Sequence, residues 1–582
     1  MRRKRIKVSI DGREISCFKG QTVLEVARKN GLKIPSLCYH PDLKASGSCR
    51  LCLVSIKDRK GFFTACSTQL EDGMVIISDS PEIRKLRKIN LEMLLAQHVE
   101  SCRDCMRSYN CRLLALADEY DLDLSKFDDR KRNYPVWQFG PAILFKSEKC
   151  IDCRNCVEIC KKQGVGFLEV EEHDSFMEVV PSKKKNKDCV YCGQCIAHCP
   201  AASFEEVDSI KDVEAVLKDK KNFVVFQFAP SIRVSIGEEF GMPYGTVVTD
   251  KLIGAIRQLG AKRVFDVSSA ADVTTIEEAD ELIERVKKGK KLPMFTSCCP
   301  AWVKFVEFYY PKFISRLTSV RSPHIILGGL IKKYVAEKEK IDPKKIIIVS
   351  VMPCTAKKYE ITRKELNLGR LKPVDYVLTT HELACLLKSR EIDLNFVKEE
   401  KIDHLLGEPS GAGVIYGASG GVTESALRTA IRKLTGRKKA RINFKKVRGM
   451  EEVKEATVDL GGVSLRIAVV NGLGNARNIL EKLKKNPKLY DYVEVMACFG
   501  GCIGGGGQPG LTSKEIRTMR ARGLYKIDEK KRVRLADDNP VVKELYKNFL
   551  NNKKIVHEIC HTEYFPKKKG KVKIIKNKSW NK

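Results

Sequence analysis

The segment Met496-Ala-Cys-Phe-Gly-Gly-Cys-Ile-Gly-Gly-Gly-Gly-Gln-Pro509 sets two thiols, Cys498 and Cys502, against a run of backbone that carries no side chains. Thiolates are soft metal ligands, and glycines let a main chain approach a bulky inorganic group closely. Two further motifs, Thr296-Ser-Cys-Cys-Pro-Ala-Trp302 and Met352-Pro-Cys-Thr-Ala-Lys357, add Cys298, Cys299 and Cys354. Their separations are too large for a zinc ribbon or a simple ferredoxin loop. A phosphate-loop reading of Gly504 to Gly507 fails because no Lys-Ser/Thr pair follows.

The first 210 residues hold denser cysteine groups. Cys150-x2-Cys153-x2-Cys156-x3-Cys160 and Cys189-x2-Cys192-x2-Cys195-x3-Cys199-Pro200 form a duplicated bacterial-ferredoxin pattern, in which the fourth cysteine of each run crosses to the other cluster. Cys150, Cys153, Cys156 and Cys199 are therefore expected to hold one 4Fe-4S cluster, and Cys189, Cys192, Cys195 and Cys160 its neighbour. Zinc would leave the fourth cysteines unexplained. Lys161 stands where proline is common and removes no ligand. His98-x3-Cys102-x2-Cys105-x5-Cys111 combines an imidazole with three thiolates, and Cys38-x10-Cys49-x2-Cys52-x13-Cys66 surrounds Gly47 and the small Ser46 and Ser48. Cys17, Cys385 and Cys560 fit no ligand pattern and read as small buried apolar residues.

The three glycine- and cysteine-bearing motifs resemble the signatures of the FeFe-hydrogenases. The first 210 residues resemble the accessory iron-sulfur domains of that family's larger members, so the resemblance covers nearly the whole chain. It implies that Cys299, Cys354, Cys498 and Cys502 bind the 4Fe-4S half of an H-cluster, with Cys502 bridging to a two-iron unit that carries CO, cyanide and a dithiolate. Pro230, Ser231 and Lys357 match family positions around the cyanides, and Met352 and Met496 supply polarisable packing. Cys298 matches the proton-exchanging thiol, with Glu278, Glu281, Arg285 and Thr318 continuing the relay; Thr318 stands where Ser is usual and His324 where many relatives have Gln. Without the resemblance, Glu278 and Glu281 would read as residues of a solvated helix. Tyr416, in the glycine-rich Ser410 to Gly421, stands where Phe is frequent. His98, Cys102, Cys105 and Cys111 resemble a histidine-ligated 4Fe-4S site, and Cys38, Cys49, Cys52 and Cys66 a 2Fe-2S site, both shared with the iron-sulfur subunit of respiratory complex I. The implied cofactors are the H-cluster, three 4Fe-4S clusters and one 2Fe-2S cluster.

The elements that must position these residues follow from pattern. Residues 6 to 17 alternate around Asp11-Gly12, a hairpin signal, and Thr22 to Asn30 reads as a short helix closed by Gly31. Leu86 to Gln97 and Leu113 to Tyr120 read as helices, and 121 to 135 as a linker. From about 221, apolar strands at Phe223 to Phe228, Arg263 to Val267, Ile346 to Val351, Leu465 to Val470 and Tyr492 to Val495 alternate with helical segments, which predicts parallel sheets flanked by helices. The signature motifs follow strand-like runs, where parallel sheets place their chemistry. Asn471-Gly-Leu-Gly-Asn-Ala-Arg477 also joins strand to helix, but Arg477 occupies the third glycine position of a dinucleotide fingerprint. The expected fold is multidomain α/β: a ubiquitin-like 2Fe-2S domain (1–80), a small helical histidine-ligated 4Fe-4S domain (81–135), a bacterial two-cluster ferredoxin domain (136–210), an α/β H-cluster domain (211–565), and a frayed basic tail (566–582).

A chain of 582 residues with 23 cysteines and a formal charge of +34 exceeds one core and is no disulfide miniprotein. No apolar run reaches the roughly 18 residues that a membrane span needs, and Arg2-Arg3 is followed by a strand rather than an apolar signal core. A cytoplasmic protein is expected. Basic residues are spread along the chain without a nucleic-acid motif, so the charge reads as a solvated surface or a field that steers an acidic redox carrier. The expected activity is reversible interconversion of hydrogen with two protons and two electrons, with ferredoxin as partner and hydrogenase maturation proteins as assembly factors. The alternatives are the catalytic subunit of an electron-bifurcating or NAD(P)-linked complex containing flavoprotein subunits, and a non-catalytic iron-sulfur carrier or hydrogen sensor.

Overall fold

The computed structural model describes residues 4–98, 102, 105, 107–123, 134–173, 176–436, 447–459, 462–510 and 512–575. The N-terminal part is a five-stranded sheet ordered Arg13–Phe18, Arg5–Ile10, Val75–Ile77, Leu53–Ile56, Arg59–Thr64. Its first hairpin turns through Asp11 and Gly12 at φ 51° and 79°, the double positive φ of a type I′ turn. The helix Val23–Lys29 begins in a capping box between Thr22 and Glu25. The next helix spans Pro81–Leu95 and so starts before the expected Leu86, because Ser80 caps it and Pro81 fits its first turn. Most of the linker expected over 121 to 135 lies outside the described residues.

A second sheet runs Phe204–Glu206, Ile143–Lys146, Val136–Phe139, Val572–Ile575. Its last strand corrects the expectation of a frayed tail. Val572 to Ile575 pair antiparallel with Phe139 to Val136, giving the edge strand Val136–Phe139 a hydrogen-bonded partner. Lysine-rich composition concealed this four-residue strand.

Two four-stranded sheets form the larger part. One is wholly parallel, in the order Arg263–Asp266, Phe223–Phe228, Ile346–Met352, Tyr376–Thr379. The other runs Met294–Phe295, Tyr492–Met496, Ser464–Asn471, Val453–Asp459, with only the last strand antiparallel. The helix Val267–Lys288 is capped by Asp266, ends at Gly289 in the left-handed region, and is buried along most of its first half. It packs against the helices Pro323–Leu330 and Gly421–Thr435. Among the described residues, no helix is long and apolar enough to cross a membrane.

Candidate active site

Four strands release the chemistry-bearing residues at their carboxyl ends. Phe223–Phe228 leads into Ala229-Pro230-Ser231, Ile346–Met352 into Cys354, Met294–Phe295 into Cys298-Cys299, and Tyr492–Met496 into Cys498. Two strands come from each sheet, so the motifs converge where the sheets face one another. They line a largely apolar cavity of about 80 Å³ that is bounded by Cys298, Cys299, Cys354, Cys498 and Cys502, together with Pro230, Ser231, Met352, Met496, Lys357, His324 and Tyr416. Cys298, Cys299 and Cys502 keep part of their surface, and it faces this cavity. Burial raises the pKa of all five thiols, so holding them as thiolates requires a compensating cation.

The polar atoms around the cavity test what fits there. Ser231 Oγ is buried, and no protein group among the described residues accepts or donates a hydrogen bond to it. An unmade bond of this kind costs about 1–3 kcal/mol, so a non-protein acceptor in the cavity is its natural partner. Lys357 Nζ donates to Glu360 Oε2 at 2.7 Å and to the Cys298 carbonyl at 3.2 Å. Burial opposes the Lys357 charge, but Glu360 outweighs it and holds the ammonium above its ordinary pKa. On the far side of Glu360, His324 Nε2 approaches Oε2 at 2.6 Å and Nδ1 approaches Ser350 Oγ at 3.1 Å. Burial and then Lys357 push His324 down to about 4, so it is neutral at physiological pH. Five thiols, a buried ammonium and an unpartnered hydroxyl suit an iron-sulfur group that bears small anionic acceptors.

The glycine run is also packed closely against protein. A Cβ on Gly504 would lie 2.2 Å from the Phe499 carbonyl oxygen, on Gly505 2.0 Å from that of Pro353, on Gly506 2.4 Å from Gly193 Cα, and on Gly507 2.6 Å from Thr379 Cβ. The glycines let protein pack on protein, and only Gly505 lines the cavity. At Gly506 the contact joins the cysteine-rich ferredoxin segment to the catalytic part, where Gln194 Nε2 also donates to the Gly504 carbonyl at 3.0 Å and Thr355 Oγ1 to that of Tyr191 at 2.7 Å. Asn471 to Arg477 is likewise a packing element. A Cβ on Gly474 would sit 2.1 Å from the Lys162 carbonyl oxygen, and Arg477 donates to the Gly164 carbonyl at 3.0 Å.

Glu278, Glu281 and Arg285 lie on the helix Val267–Lys288 behind Cys298, outside the cavity lining. Glu278 is buried and accepts from the Tyr492 hydroxyl at 2.7 Å. Burial pushes it up to about 8, so at neutral pH it is an uncharged acid able to give up or regain a proton. Glu281 Oε2 accepts from Thr318 Oγ1 at 2.6 Å, while Arg285 pairs with Oε1 and donates to the Leu317 carbonyl at 2.7 Å. These carboxylates therefore do not lie on an open helix face. Sequence reasoning missed Glu360, Tyr492, Ser350 and Ser319, whose hydroxyl donates to Glu281 Oε2 at 3.0 Å; only Glu360, three residues after Lys357, left an ion-pair signal.

The geometry has counterparts among known proteins. Residues 222–506 match the family described as the iron-only hydrogenase large subunit, C-terminal domain, and 514–567 match the iron hydrogenase small subunit. The chain is 37% identical over 583 residues to the NADP-reducing hydrogenase subunit HndD of Solidesulfovibrio fructosivorans, covering 97% of this chain and 99% of that one. The chain belongs to the iron-only hydrogenases. Iron hydrogenase 1 of Clostridium pasteurianum is 35% identical, with 96% and 99% coverage. A solved apo [FeFe]-hydrogenase HydA1 variant from Chlamydomonas reinhardtii is 36% identical, at a TM-score of 0.55, covering 61% of this chain and 98% of its own.

This hydrogenase is an oxidoreductase acting on hydrogen, and it carries a 2Fe-2S binding domain at residues 3–81 and a 4Fe-4S dicluster domain at 149–203. Thiol proximities link these domains to the cavity. Burial and then Cys199 raise Cys153, and Cys150, Cys153 and Cys199 likewise act on Cys156. Cys195 is raised by burial, then by Cys192, Cys189 and Cys160. The fourth cysteine of each run thus faces the other run's triplet. Cys38 also acts on Cys153, Cys195 on Cys156, and Cys192 on Cys498, which traces a continuous series of thiols from the N-terminal domain to the catalytic cavity. Cys38 is in contact with Cys49 and Cys66, and Cys66 with Cys52. His98 Nδ1 approaches the Lys149 carbonyl at 2.9 Å, which places the ring proton there and the lone pair on Nε2. The residues joining His98 to Cys102 and Cys105 lie outside the described ones. Cys17 and Cys560 are buried as expected, whereas Cys385 is half-buried with Sγ 3.9 Å from His381 Nε2, which corrects its reading as a buried apolar residue.

Proposed function

We propose that the cavity holds an H-cluster and that the chain is the hydrogen-activating subunit of an NAD(P)-linked complex. The observation that carries the site assignment is the convergence of five thiols, Lys357 and a Ser231 hydroxyl without a partner among the described residues on one largely apolar cavity. Cys299, Cys354, Cys498 and Cys502 would hold its 4Fe-4S half, with Cys502 shared with a two-iron unit carrying CO, cyanide and a dithiolate. When bound, that unit supplies the metal chemistry that splits or forms hydrogen heterolytically. The chain's own residues do the rest. Lys357, Ser231 and the Pro230 segment orient the anionic ligands; Met352 and Met496 exclude water and pack softly against iron. Cys298 exchanges the proton, with Glu278 as the next acid and Glu281, held by Thr318 and Arg285, beyond it.

The electron path runs through a 2Fe-2S site (Cys38, Cys49, Cys52, Cys66), a histidine-ligated 4Fe-4S site (His98, Cys102, Cys105, Cys111) and two ferredoxin-type 4Fe-4S clusters with crossed fourth ligands. The division into 1–80, 81–135, 136–210 and 211–565 follows these cluster groups, and 566–582 adds a strand to the ferredoxin sheet. NAD(P) linkage is favoured over ferredoxin alone because identity to the NADP-reducing hydrogenase subunit, 37%, exceeds the 35% to iron hydrogenase 1 at nearly the same coverage. Flavoprotein subunits would supply the nucleotide chemistry; an acidic ferredoxin remains the partner of the stand-alone reading.

Affinity purification of the tagged chain from its own cells tests the linkage. Co-purifying flavoprotein subunits and hydrogen-dependent reduction of NAD(P) by the assembly are expected. A lone chain at full hydrogen turnover with ferredoxin, and no nucleotide reduction in any co-purified fraction, would return the reading to a ferredoxin hydrogenase.

A further inference from the structure

Beyond Glu281 a hydrogen-bonded series leads outward through residues that no signature motif contains. Ser319 Oγ donates to Glu281 Oε2 at 3.0 Å and lies 2.9 Å from His561 Nδ1. On the other edge of the ring, His561 Nε2 is 3.2 Å from Glu277 Oε2. The register is fixed by backbone. Val320 and His561 form an antiparallel bridge, the Arg321 amide donates to the Cys560 carbonyl at 2.7 Å, and the Thr562 amide donates to that of Ser319 at 2.8 Å. A histidine contributed by the segment that matches the hydrogenase small subunit is therefore clamped against the relay carboxylate.

We infer that His561 is the solvent-side station of the proton path and exchanges protons with Glu281 through Ser319. This rests on the hydrogenase reading above. In the inward direction, His561 Nδ1–H gives its proton to Ser319 Oγ as the Ser319 hydroxyl proton passes to Glu281 Oε2. Nε2, beside the Glu277 carboxylate, takes a proton from water before Nδ1 releases its own, so the ring passes through the imidazolium; each transfer forms one O–H or N–H bond as another breaks, and rotation of the ring and of the Ser319 hydroxyl resets the path. The outward direction reverses these steps. The polarity suits such a wire, because Ser319 accepts from the ring on one side and donates to the carboxylate on the other. His561 keeps 20% of its side-chain surface, so the ring is open to water on its outer side.

The groups around it are all identifiable. Glu277 accepts from Tyr546, and despite burial its hydrogen bonds to His561 and Tyr546 hold it below the usual carboxylate range. Lys433 also acts on Glu277; Arg321 Nε donates to the His561 carbonyl at 2.7 Å, and the His557 ring stacks 6.0 Å away. Glu281 itself keeps 15% of its side-chain surface, so direct entry of water at Glu281 is the competing route.

The test uses the matured full-length protein with His561→Ala, His561→Gln, Ser319→Ala and Ser319→Thr, each checked for unchanged CO and cyanide infrared bands. Hydrogen evolution should fall at least about tenfold in the first three and survive in Ser319→Thr, with a larger solvent isotope effect in the impaired variants. Added imidazole should restore His561→Ala. Independently of activity, deuterium exchange at the ring C2–H, read by mass spectrometry, should place His561 near exposed His557 and far from buried His324. Wild-type turnover and isotope effect in both His561 variants at full occupancy would overturn the path in favour of entry at Glu281, as would a His561 ring that exchanges as slowly as His324. Absence of the bands from the parent protein would instead overturn the underlying hydrogenase site.

Discussion

Expressed in cells that lack hydrogenase maturation proteins, the chain is expected to fold and take up iron and sulfide yet evolve no hydrogen. The proposed cubane ligands Cys150, Cys153, Cys156 and Cys199, and the equivalent second set, all belong to this chain, so general iron-sulfur assembly can fill them. The two-iron unit is different. The CO and cyanide ligands proposed for it come from no residue of this chain, and among the described residues the buried Ser231 hydroxyl lacks a protein partner, while the Lys357 ammonium is held by Glu360 and the Cys298 carbonyl. Loading the purified protein with a synthetic diiron complex should raise turnover from background to full activity with no change in its other iron centres. Hydrogen evolution from the unloaded protein at a rate comparable with the loaded one would remove the H-cluster from the account.

Replacing Cys298 by Ala at full cluster occupancy should lower turnover by roughly 10²–10⁴-fold, the usual contribution of a positioned proton-transfer group. Cys299, its neighbour, is a proposed ligand, and its loss should disturb the cluster itself. The two adjacent thiols thus separate assembly from proton delivery. Among the described residues Tyr416 also lines the cavity near Glu278, but burial and then Glu278 hold its hydroxyl well above its ordinary pKa, which makes it a poor proton carrier; Lys357 is engaged by Glu360, and His324 lies beyond that pair. Cys298→Asp should keep part of the activity because a carboxyl also carries a proton. Glu278 adds a pH dependence whose sign is fixed. Its folded pKa of about 8 lies above the ordinary 4.5, so stability from this group is present below 4.5 and is lost as pH rises through about 8. Supply of protons from Glu278 declines over the same upper limit, and Glu278→Gln should remove both dependences. Near-normal hydrogen evolution by Cys298→Ala would remove the roles given to Glu278, Glu281 and Thr318.

Sequence alone located the parts of the site that depend on local pattern. The runs at Phe223, Ile346, Leu465 and Tyr492 are largely apolar, each broken by a single polar residue, because central strands are mostly buried, and each emerged as a strand within a residue or so of its expected limits. The dense cysteine groups are legible for the same local reason, and the segments that carry two of them match a 2Fe-2S binding domain at 3–81 and a 4Fe-4S dicluster domain at 149–203. Other features were illegible because their cause is long-range. Val453–Asp459 is a polar-faced edge strand, and Tyr376–Thr379 is short. Glu278 sits in a sequence that reads as a solvated helix, and only its packing beneath Tyr492 makes it a buried acid. Ser319 and His561 are 242 residues apart and meet through a bridge that no periodicity announces. The protein contacts of the glycine run were illegible because composition reports that a close approach occurs but not what approaches.

Infrared spectroscopy of the matured, purified protein is the most direct test of the central claim, since metal-bound CO and cyanide absorb in a window where protein is transparent. The account predicts CO and cyanide bands that shift on exposure to hydrogen, and cyanide bands that move when Lys357 or Ser231 is replaced while the other iron-sulfur centres keep their signals. A fully iron-loaded, matured protein with no absorption in that window would contradict it.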